Sequence, residues 1–352
     1  MNYGPQAAEL AQAKAEHAWL KEVPGHCLQQ ALMDLDKACR RHGTFGVHWR
    51  SARRWVASFR FLEGSKMKVE RLNRGKSQVQ LPKLGWVKYR ASRSLDGETI
   101  RSATLTKEGR HWYVSLLVND GAVAPAAHAA PDTAVGVDRG VVVAVATSGG
   151  DLLDQAFSTP AEKRRVRRLQ GKLSRAAKGS ANRNKTRQQY AGLRAEEARR
   201  RQDFCVKTAR ALAEKNAVVV LEKLPAKNMT RRAKPVKDPD NPGRYLPNGA
   251  GRKSGLNKAI LSKGWYRFEQ GLTSVSRYTG TQVVKVPAAL TSQRCSACGR
   301  VDPISRESQA VFRCTSCSYT GHADVNAAKN VLAAGRALGR NADSQNACGD
   351  DP

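Results

Sequence analysis

Two CxxC pairs constrain this chain more than any other feature of its sequence. Cys295 and Cys298 are followed, after fifteen residues, by Cys314 and Cys317. At that spacing two short β-knuckles bring four thiolates around one Zn²⁺ ion in tetrahedral geometry. Two disulfides or four free thiols are the alternatives, but a disulfide within one CxxC pair would constrain almost nothing, whereas a shared metal folds a segment too polar to form a core. The sequence therefore predicts one structural zinc ion in a zinc ribbon.

An acidic residue opens the helix that follows the ribbon. Asp324 lies seven residues after Cys317, and the apolar residues between Val325 and Leu332 are spaced for one helical face. Taken alone, an Asp in a first helical turn is explained by capping and by the helix dipole. A role as a metal ligand therefore depends on other acids in the chain.

Two further acids end predicted buried strands. Asp138 interrupts the apolar run TAVGVDRGVVVAVA, which reads as a strand, a tight turn at Gly140 and an apolar return strand. Glu222 ends the run AVVVLE. A carboxylate at such a position must be paired or metal-bound to offset its desolvation.

The charge of the chain indicates a polyanionic partner. Lys and Arg number 61 against 30 Asp and Glu, a net charge of +31, and residues 161–201 alone carry 15 Lys and Arg against three Glu, a net +12. Runs of charge are usually solvated faces, but an excess this uniform in sign favours basic helices that follow a phosphate backbone. The candidate nucleic-acid-binding residues are Arg164, Arg165, Arg167 and Arg168 in this segment, and Arg231 and Arg232 in a later basic loop.

The first third of the chain contains two kinds of pattern. Residues 1–50 are predicted to form helices, and residues 51–120 have the period-two pattern of a small antiparallel barrel or curled sheet. Aromatic residues alternate there with Lys and Arg, so they suit base stacking and a strand core equally well. They are Phe59, Phe61, Trp86, Tyr89, Trp112 and Tyr113.

The sequence contains no run that predicts a membrane span, and its start lacks the pattern of a signal peptide. Four unpatterned cysteines beside the two CxxC pairs suit a reducing compartment. We therefore expect a cytoplasmic protein.

The order of the predicted elements connects the three acids. The order is strand with Asp138, meander, helices, strand with Glu222, helix, strand, ribbon and helix with Asp324. These are the places where a ribonuclease H-like α/β fold brings three carboxylates together. Hard oxygen ligands arranged in this way suit two Mg²⁺ ions in phosphodiester hydrolysis.

The chain resembles the TnpB family of transposon-encoded RNA-guided DNA endonucleases, which is related to type V CRISPR effectors. The resemblance spans roughly residues 19–335 and rests on WLKEVPGHCLQQALMDLDKA, SFRF, GVDRG, VVVLEKLPAKNMTRR, GWYRFEQGL, TSQRCSACG and CTSCSYTGHADVNAAKNVL. It implies that Asp138, Glu222 and Asp324 form the nuclease site, that the four paired cysteines bind zinc, and that the segments before residue 131 hold a guide RNA and a short DNA motif.

The resemblance also implies a domain organisation and two departures from the family. Family members open with a β-strand and further helices ahead of WLKEVP, so an N-terminally shortened recognition segment is expected, and Lys223 stands where the family often has Asp or Asn. The expected segments are a helical recognition segment (1–50), a wedge-like barrel (51–120), a linker (121–131), a first RuvC-like nuclease segment (132–290), the zinc ribbon (291–320), a second RuvC-like nuclease segment (321–341) and a tail (342–352).

Three functions remain compatible with the sequence. The first is a Mg²⁺-dependent, RNA-guided DNA endonuclease that acts on target DNA with a guide RNA from the transposon end. The second is a DNA transposase or recombinase that uses the same acids, and the third is a non-cleaving, zinc-containing nucleic-acid-binding protein. The acids disfavour the third, and the ribbon nested before Asp324 favours the first. A homodimer stays open as a further assembly, and no membrane partner is expected.

Overall fold

The computed structural model describes two compact units, one over Met1–Ala122 and one over Val123–Pro352. The boundary falls inside the segment that the sequence predicts as a linker. The described residues are 3–47, 49, 56–109, 111–119, 121–241 and 243–346, with the main chain alone over 339–346. The last six residues of the predicted tail lie outside this range of the chain. Within it, no helix combines the length and apolarity that a membrane crossing needs.

Helices open the first unit. They are α1 (Tyr3–Glu16), α2 (Ala18–Glu22) and α3 (Gly25–His42). The third buries Cys39 and half-buries Leu28, Leu32 and Leu35, which is the apolar stripe that its sequence predicts.

Six strands complete the first unit, in two three-stranded antiparallel sheets around one apolar core. No strand of one sheet pairs with a strand of the other among the described residues, so these strands are two sheets and not a closed barrel. Phe61 is fully buried in the core, whereas Trp86, Trp112 and Tyr113 are exposed. The strands are β1 (Ser58–Phe61), β2 (Val69–Asn73), β3 (Lys76–Leu81), β4 (Gly85–Arg90), β5 (Thr99–Glu108) and β6 (His111–Asn119).

A five-stranded mixed sheet forms the centre of the second unit. Its strands are β7 (Ala134–Asp138), β8 (Val145–Thr147), β9 (Leu152–Leu153), β10 (Val218–Glu222) and β13 (Gln282–Val286). Their order is β13-β10-β7-β8-β9; the first three strands are parallel, and β8 and β9 are antiparallel to their neighbours.

Helices cover both faces of this sheet. Those that pack on it are α5 (Ala181–Lys215), α8 (Trp265–Thr279) and α9 (Ala323–Asn346). The unit also contains α4 (Pro160–Arg175), α6 (Ala226–Met229) and α7 (Ala250–Lys263), with a small hairpin of β11 (Val236–Lys237) and β12 (Tyr245–Leu246) between α6 and α7 in the chain. Val219 and Leu221 pack with α5 and α8, whereas Val220 between them packs with Val331 of α9. Because alternate residues of a strand face opposite sides of a sheet, α9 covers the face opposite to α5 and α8.

Two helix boundaries differ from the sequence prediction. The pattern of residues 161–201 predicts helices broken near Gly179 and Ser180, with a further helix over residues 203–216. In the structure α5 runs unbroken from Ala181 to Lys215, since no Gly or Pro stands within residues 193–215. The amphipathic pattern of residues 256–280 predicts one helix. Gly264 divides them, because its φ of 75° is left-handed backbone that ends α7 and begins α8.

Candidate active site and metal centre

The three predicted acids lie at the same end of the central sheet. Asp138 is the last residue of β7, and Glu222 is the last residue of β10. Leu221 pairs with Val137 in a parallel register, so the two acids that come next in their strands lie side by side. Asp324 lies in the first turn of α9, and its Oδ2 would be 3.6 Å from a Cβ added to Gly140 in the turn after Asp138. The sheet edge and the helix start therefore converge on one place.

These carboxylates lie in a largely buried environment, where the ionised form is costly to desolvate. Glu222 and Asp324 are buried, with exposed fractions of 6% and 2%. Burial, followed by the nearby carboxylates of Glu222 and Asp324, raises the pKa of Asp138 to about 7. Burial also raises the pKa of Glu222, although a hydrogen bond donated by the Thr291 hydroxyl to Glu222 Oε1 works against this. The cluster has an excess of negative charge that a cation would relieve.

Arg306 partly compensates the negative charge of the acid cluster. Its Nη2 donates to Oδ1 of Asp324 across 2.9 Å, and its guanidinium lowers the pKa of both Asp138 and Glu222. The described hydrogen bond of the Asp324 carboxylate goes to Arg306, and the backbone N–H of Asp324 at the start of α9 donates to Nδ1 of His322 across 3.2 Å. Sequence reasoning missed Arg306, which lies in a polar ribbon segment where no periodicity singles it out.

A second arginine binds the strand ends together. Arg139 is 4% exposed; its Nη2 donates to the main-chain oxygen of Glu222 and its Nη1 donates to Oε2 of Glu269 across 2.9 Å. Lys285 of β13 pairs with the other oxygen of Glu269. The sequence offered one signal for this network, because Arg139 directly follows Asp138 in GVDRG, but Glu269 lies on a distant helix.

The donor set of the acids fits hard divalent cations. Three carboxylates with one compensating arginine leave net negative charge and oxygen ligands, which Mg²⁺ prefers. Their oxygens do not all lie within 4.8 Å of one another, in contrast to the four cysteine sulfurs.

The four cysteines form a compact cluster suited to zinc. All four sulfur atoms lie within 4.8 Å of one another, with Cys295 Sγ 3.7 Å from Cys317 Sγ and Cys298 Sγ 3.6 Å from Cys314 Sγ. Backbone N–H groups of Cys317 and Ser316 lower the pKa of Cys314 to about 6, which favours the thiolate that zinc requires. The strands β14 (Val311–Arg313) and β15 (Thr320–His322) hold the second knuckle. The predicted ligands are thus brought together.

Two buried asparagines attach the ribbon to α9. Asn326 accepts from the backbone N–H of Ser296 across 2.8 Å and donates to the carbonyl of Arg294 across 2.7 Å. Asn330, one turn later, donates to the carbonyls of Thr291 and Arg294. The knuckle therefore fixes the helix turn that carries Asp324, a role that the sequence pattern did not reveal.

The predicted nucleic-acid-binding arginines are not bonded to the acids in the described structure. Among the described residues, none of the six makes a hydrogen bond to Asp138, Glu222 or Asp324. The four on α4 are exposed, and Leu169 is the buried residue of that helix. The other two, Arg231 and Arg232, are exposed after α6.

Comparison with known proteins identifies the family. Residues 116–233 match the family described as "Probable transposase", and residues 265–331 match "Cas12f1-like, TNB domain". The chain is 35% identical over 342 residues to "Putative RNA-guided DNA endonuclease InsQ" of Escherichia coli K12, covering 96% of this chain and 81% of that protein. Shorter matches include a "TnpB-like protein" of Acanthamoeba polyphaga mimivirus, 37% identical over 83 residues, 24% of this chain and 16% of that protein. The chain belongs to the TnpB family.

Two further comparisons are more distant. A "Putative RNA-guided DNA endonuclease" of Streptomyces pristinaespiralis is 29% identical over 357 residues, covering 99% of this TnpB-family chain and 80% of that protein. A solved complex of Cas12f1 with sgRNA and target DNA aligns with a TM-score of 0.44 and 15% identity, over 79% of this chain and 59% of that one. The two family matches include the strand acids in the first range and the ribbon with Asp324 in the second.

Proposed function

We propose that this TnpB-family chain is an RNA-guided DNA endonuclease whose phosphodiester hydrolysis takes place at Asp138, Glu222 and Asp324. The observation that carries the proposal is the convergence of three carboxylates at one end of the sheet, where burial and the neighbouring carboxylates raise the pKa of Asp138 to about 7. A relative 35% identical over nearly the whole chain is named an RNA-guided DNA endonuclease. We assign the second unit to the ribonuclease H-like class, with the zinc ribbon nested before its last helix.

In this proposal the acids hold two Mg²⁺ ions. Bound there, the ions supply a water of lowered pKa and stabilisation of the leaving oxygen. Asp138 releases its proton near neutral pH and then offers two oxygens, as do Glu222 and Asp324. Arg306 presents guanidinium N–H groups beside the acids, where they can donate to a phosphate oxygen. Arg139 keeps the ends of β7 and β10 at a fixed separation.

The remaining segments bind the nucleic acids in this proposal. The exposed arginines of α4 and those after α6 neutralise backbone phosphates, and the first unit holds guide RNA and a short DNA motif through its exposed Trp and Tyr side chains. Base pairing between guide RNA and target DNA then supplies most of the sequence specificity.

Strand transfer is the second candidate, favoured by the match of residues 116–233 to a transposase family. The same acids can activate a DNA 3′-hydroxyl in place of water. The two functions differ in their products, because hydrolysis leaves free 3′-hydroxyl ends and strand transfer leaves joined strands.

The test is cleavage by the full chain, purified with the RNA that it retains and supplied with Mg²⁺ and DNA matching that RNA. Changing Asp138, Glu222 or Asp324 to Ala should abolish cutting while RNA binding persists, since most phosphate contacts come from Lys and Arg. Asp203→Ala, an exposed acid on α5 that pairs with Lys207, is the matched control and should cut normally. A folded Asp324→Ala protein that cuts at the wild-type rate would exclude this site.

A further inference from the structure

A basic cleft lies in the second unit between α5, the segment after α6, and α7. Its walls include five cations and one carboxylate: Arg194, Arg201 and Glu197 from α5, Arg232 after α6, and Lys253 and Lys258 from α7. Glu197 is already paired, with Arg194 at 2.5 Å and with Arg201 at 3.0 Å. The cleft walls therefore carry a net positive charge. None of these residues hydrogen-bonds to the acids of the proposed nuclease site within the described chain.

Two polar atoms in the cleft walls are buried without a partner. Nε of Arg201 is a donor and Oδ1 of Asn257 is an acceptor, and neither finds a hydrogen bond in the described structure. The orientation of Asn257 follows from its amide nitrogen, which donates to the carbonyls of Thr230 and Arg231 at 2.9 and 3.1 Å. Buried polar groups are rarely left unpaired, so an unused donor and acceptor indicate a polar ligand.

The cleft is built before any ligand arrives. Lys253 donates from Nζ to the carbonyl of Met229 across 2.6 Å, so α7 holds the segment after α6 in place. Arg201 is held by Glu197 and by the carbonyl of Leu261, and its guanidinium lies over the ring of Phe157. Arg232 and Lys258 are exposed and, within the described residues, make no hydrogen bond or ion pair, so their charges stay available.

We infer that this α5–α7 cleft binds the sugar-phosphate backbone of a nucleic-acid strand outside the nuclease site. Phosphate oxygens meet the exposed side chains of Arg232 and Lys258, and the other cations of the walls add to the positive potential there. The inference deepens the proposed function and rests on it for the presence of a nucleic-acid partner. It names a surface that the cleavage chemistry itself does not require.

The test is binding by the full chain in EDTA, after nucleic acid has been removed at high salt. Fluorescein-labelled single-stranded DNA and RNA of the same sequence are titrated by anisotropy over a range of salt concentrations. The double variant Arg232→Ala, Lys258→Ala should weaken binding several-fold and flatten the log-log salt slope by about 0.7 per lost contact, or about 1.4 for the pair. Weaker binding by the double variant to RNA alone, to DNA alone or to both would show which nucleic acid supplies the phosphates.

The matched control is Lys207→Ala, Arg210→Ala, which removes the same charge from exposed residues of α5 outside the cleft. It should leave the slope near the wild-type value. A cleft variant that binds both strands like wild type overturns the inference, and so does an equal effect of the control pair, because net charge would then govern binding. Cleavage is not measured in EDTA, so a failure of the nuclease proposal is seen separately, with the Asp324→Ala protein.

Discussion

The guanidinium of Arg306 lies 2.9 Å from the carboxylate of Asp324, and this ion pair joins the zinc ribbon to the acid cluster. Asp324 is buried and Arg306 is mostly covered, with side-chain exposures of 3% and 21%. Removal of one partner of such a pair leaves an uncompensated buried charge. The ribbon therefore contributes charge compensation to the candidate nuclease site as well as an anchor for α9.

Arg306→Ala should move the acid limb of the cleavage pH profile to higher pH. Arg306 lowers the pKa of Asp138, so its loss raises that pKa further and more alkaline solution is needed to ionise the carboxyl. Arg306→Lys should partly restore the wild-type profile. The control is Arg313→Ala, an exposed ribbon residue paired with Glu307, which should keep the wild-type profile. An unchanged acid limb in Arg306→Ala would contradict this role.

Asp138→Asn should stabilise the metal-free protein at alkaline pH. The pKa of Asp138 is about 7 in the folded chain against 3.8 for the free side chain. Between these two pKa values Asp138 is protonated in the folded state and ionised in the unfolded state. The free energy of unfolding therefore falls as pH rises from about 4 to about 7. The difference between the two pKa values corresponds to a loss of folding stability of at most about 4 kcal/mol.

Thermal unfolding in EDTA measures that effect. The Asn variant should melt above wild type at about pH 8, and the two should converge toward about pH 3, where wild-type Asp138 is protonated in the folded and largely in the unfolded state. Added Mg²⁺ should raise the melting temperature of wild type more than that of the variant. A metal-free wild type that is the more stable protein at pH 8 would argue against a strained acid cluster.

The sequence predicted the elements that have a local signature. Strands that end in Asp138 and Glu222 follow from short β-branched runs, and the cysteine cluster follows from spacing alone. The parallel register that sets the two acids side by side is not local, and only the order of elements indicated it. The break at Gly264 was missed because the amphipathic pattern continues across it.

The counter-charges of the site could not be predicted in this way. Arg306 is eighteen residues from Asp324 in the chain, and Arg139 reaches Glu269 on a helix 130 residues away. A sequence rich in Lys and Arg offers many candidates for such contacts and no periodicity to choose among them. The same holds for Asn326 and Asn330, whose burial depends on the fold of the ribbon.

The purified chain should contain one tightly bound zinc ion. Four thiolates saturate a tetrahedral site and leave no open position, so the metal acts structurally. Cys314→Ser should lose the zinc, lower the melting temperature and loosen the turn of α9 that carries Asp324, since Asn326 and Asn330 hold that helix to the knuckle. Elemental analysis after reducing purification measures the metal. Cys27→Ser, in the first unit, should retain it; a zinc-free wild type would refute the assignment.

The arginines of α4 should account for a measurable share of the salt dependence of duplex binding. Each lost phosphate contact reduces the log-log slope by about 0.9, so replacement of all four should flatten it by up to about 3.6. The variant combines Arg164→Ala, Arg165→Ala, Arg167→Ala and Arg168→Ala. A single Arg→Ala change at Arg200 would not serve as a control, because Arg200 is bonded to Glu162 at the start of α4 and its loss would disturb that helix. An unchanged slope would mean that these side chains do not contact phosphate.

Gly136→Ala should impair cleavage by displacing α9. A Cβ at residue 136 would lie 2.1 Å from the carbonyl oxygen of Ala328 and 2.6 Å from the backbone nitrogen of Leu332, so main chain of β7 meets main chain of α9 with no room for a methyl group. Backbone atoms cannot rotate aside, and overpacking of this kind costs about 1–3 kcal/mol or more. The helix must move outward, and Asp324 moves with it away from Asp138.

The expected signature is a fall in the cleavage rate, a higher Mg²⁺ requirement and a lower melting temperature, with RNA binding retained below that temperature. Gly149→Ala is the matched control, because its added Cβ would lie 3.6 Å from Thr147 Oγ1, an ordinary contact, and its backbone is not left-handed. It should cut and melt close to wild type. If Gly136→Ala also matches wild type in rate and melting temperature, then α9 does not approach β7 this closely, and the geometry that brings Asp324 to the strand acids must be different.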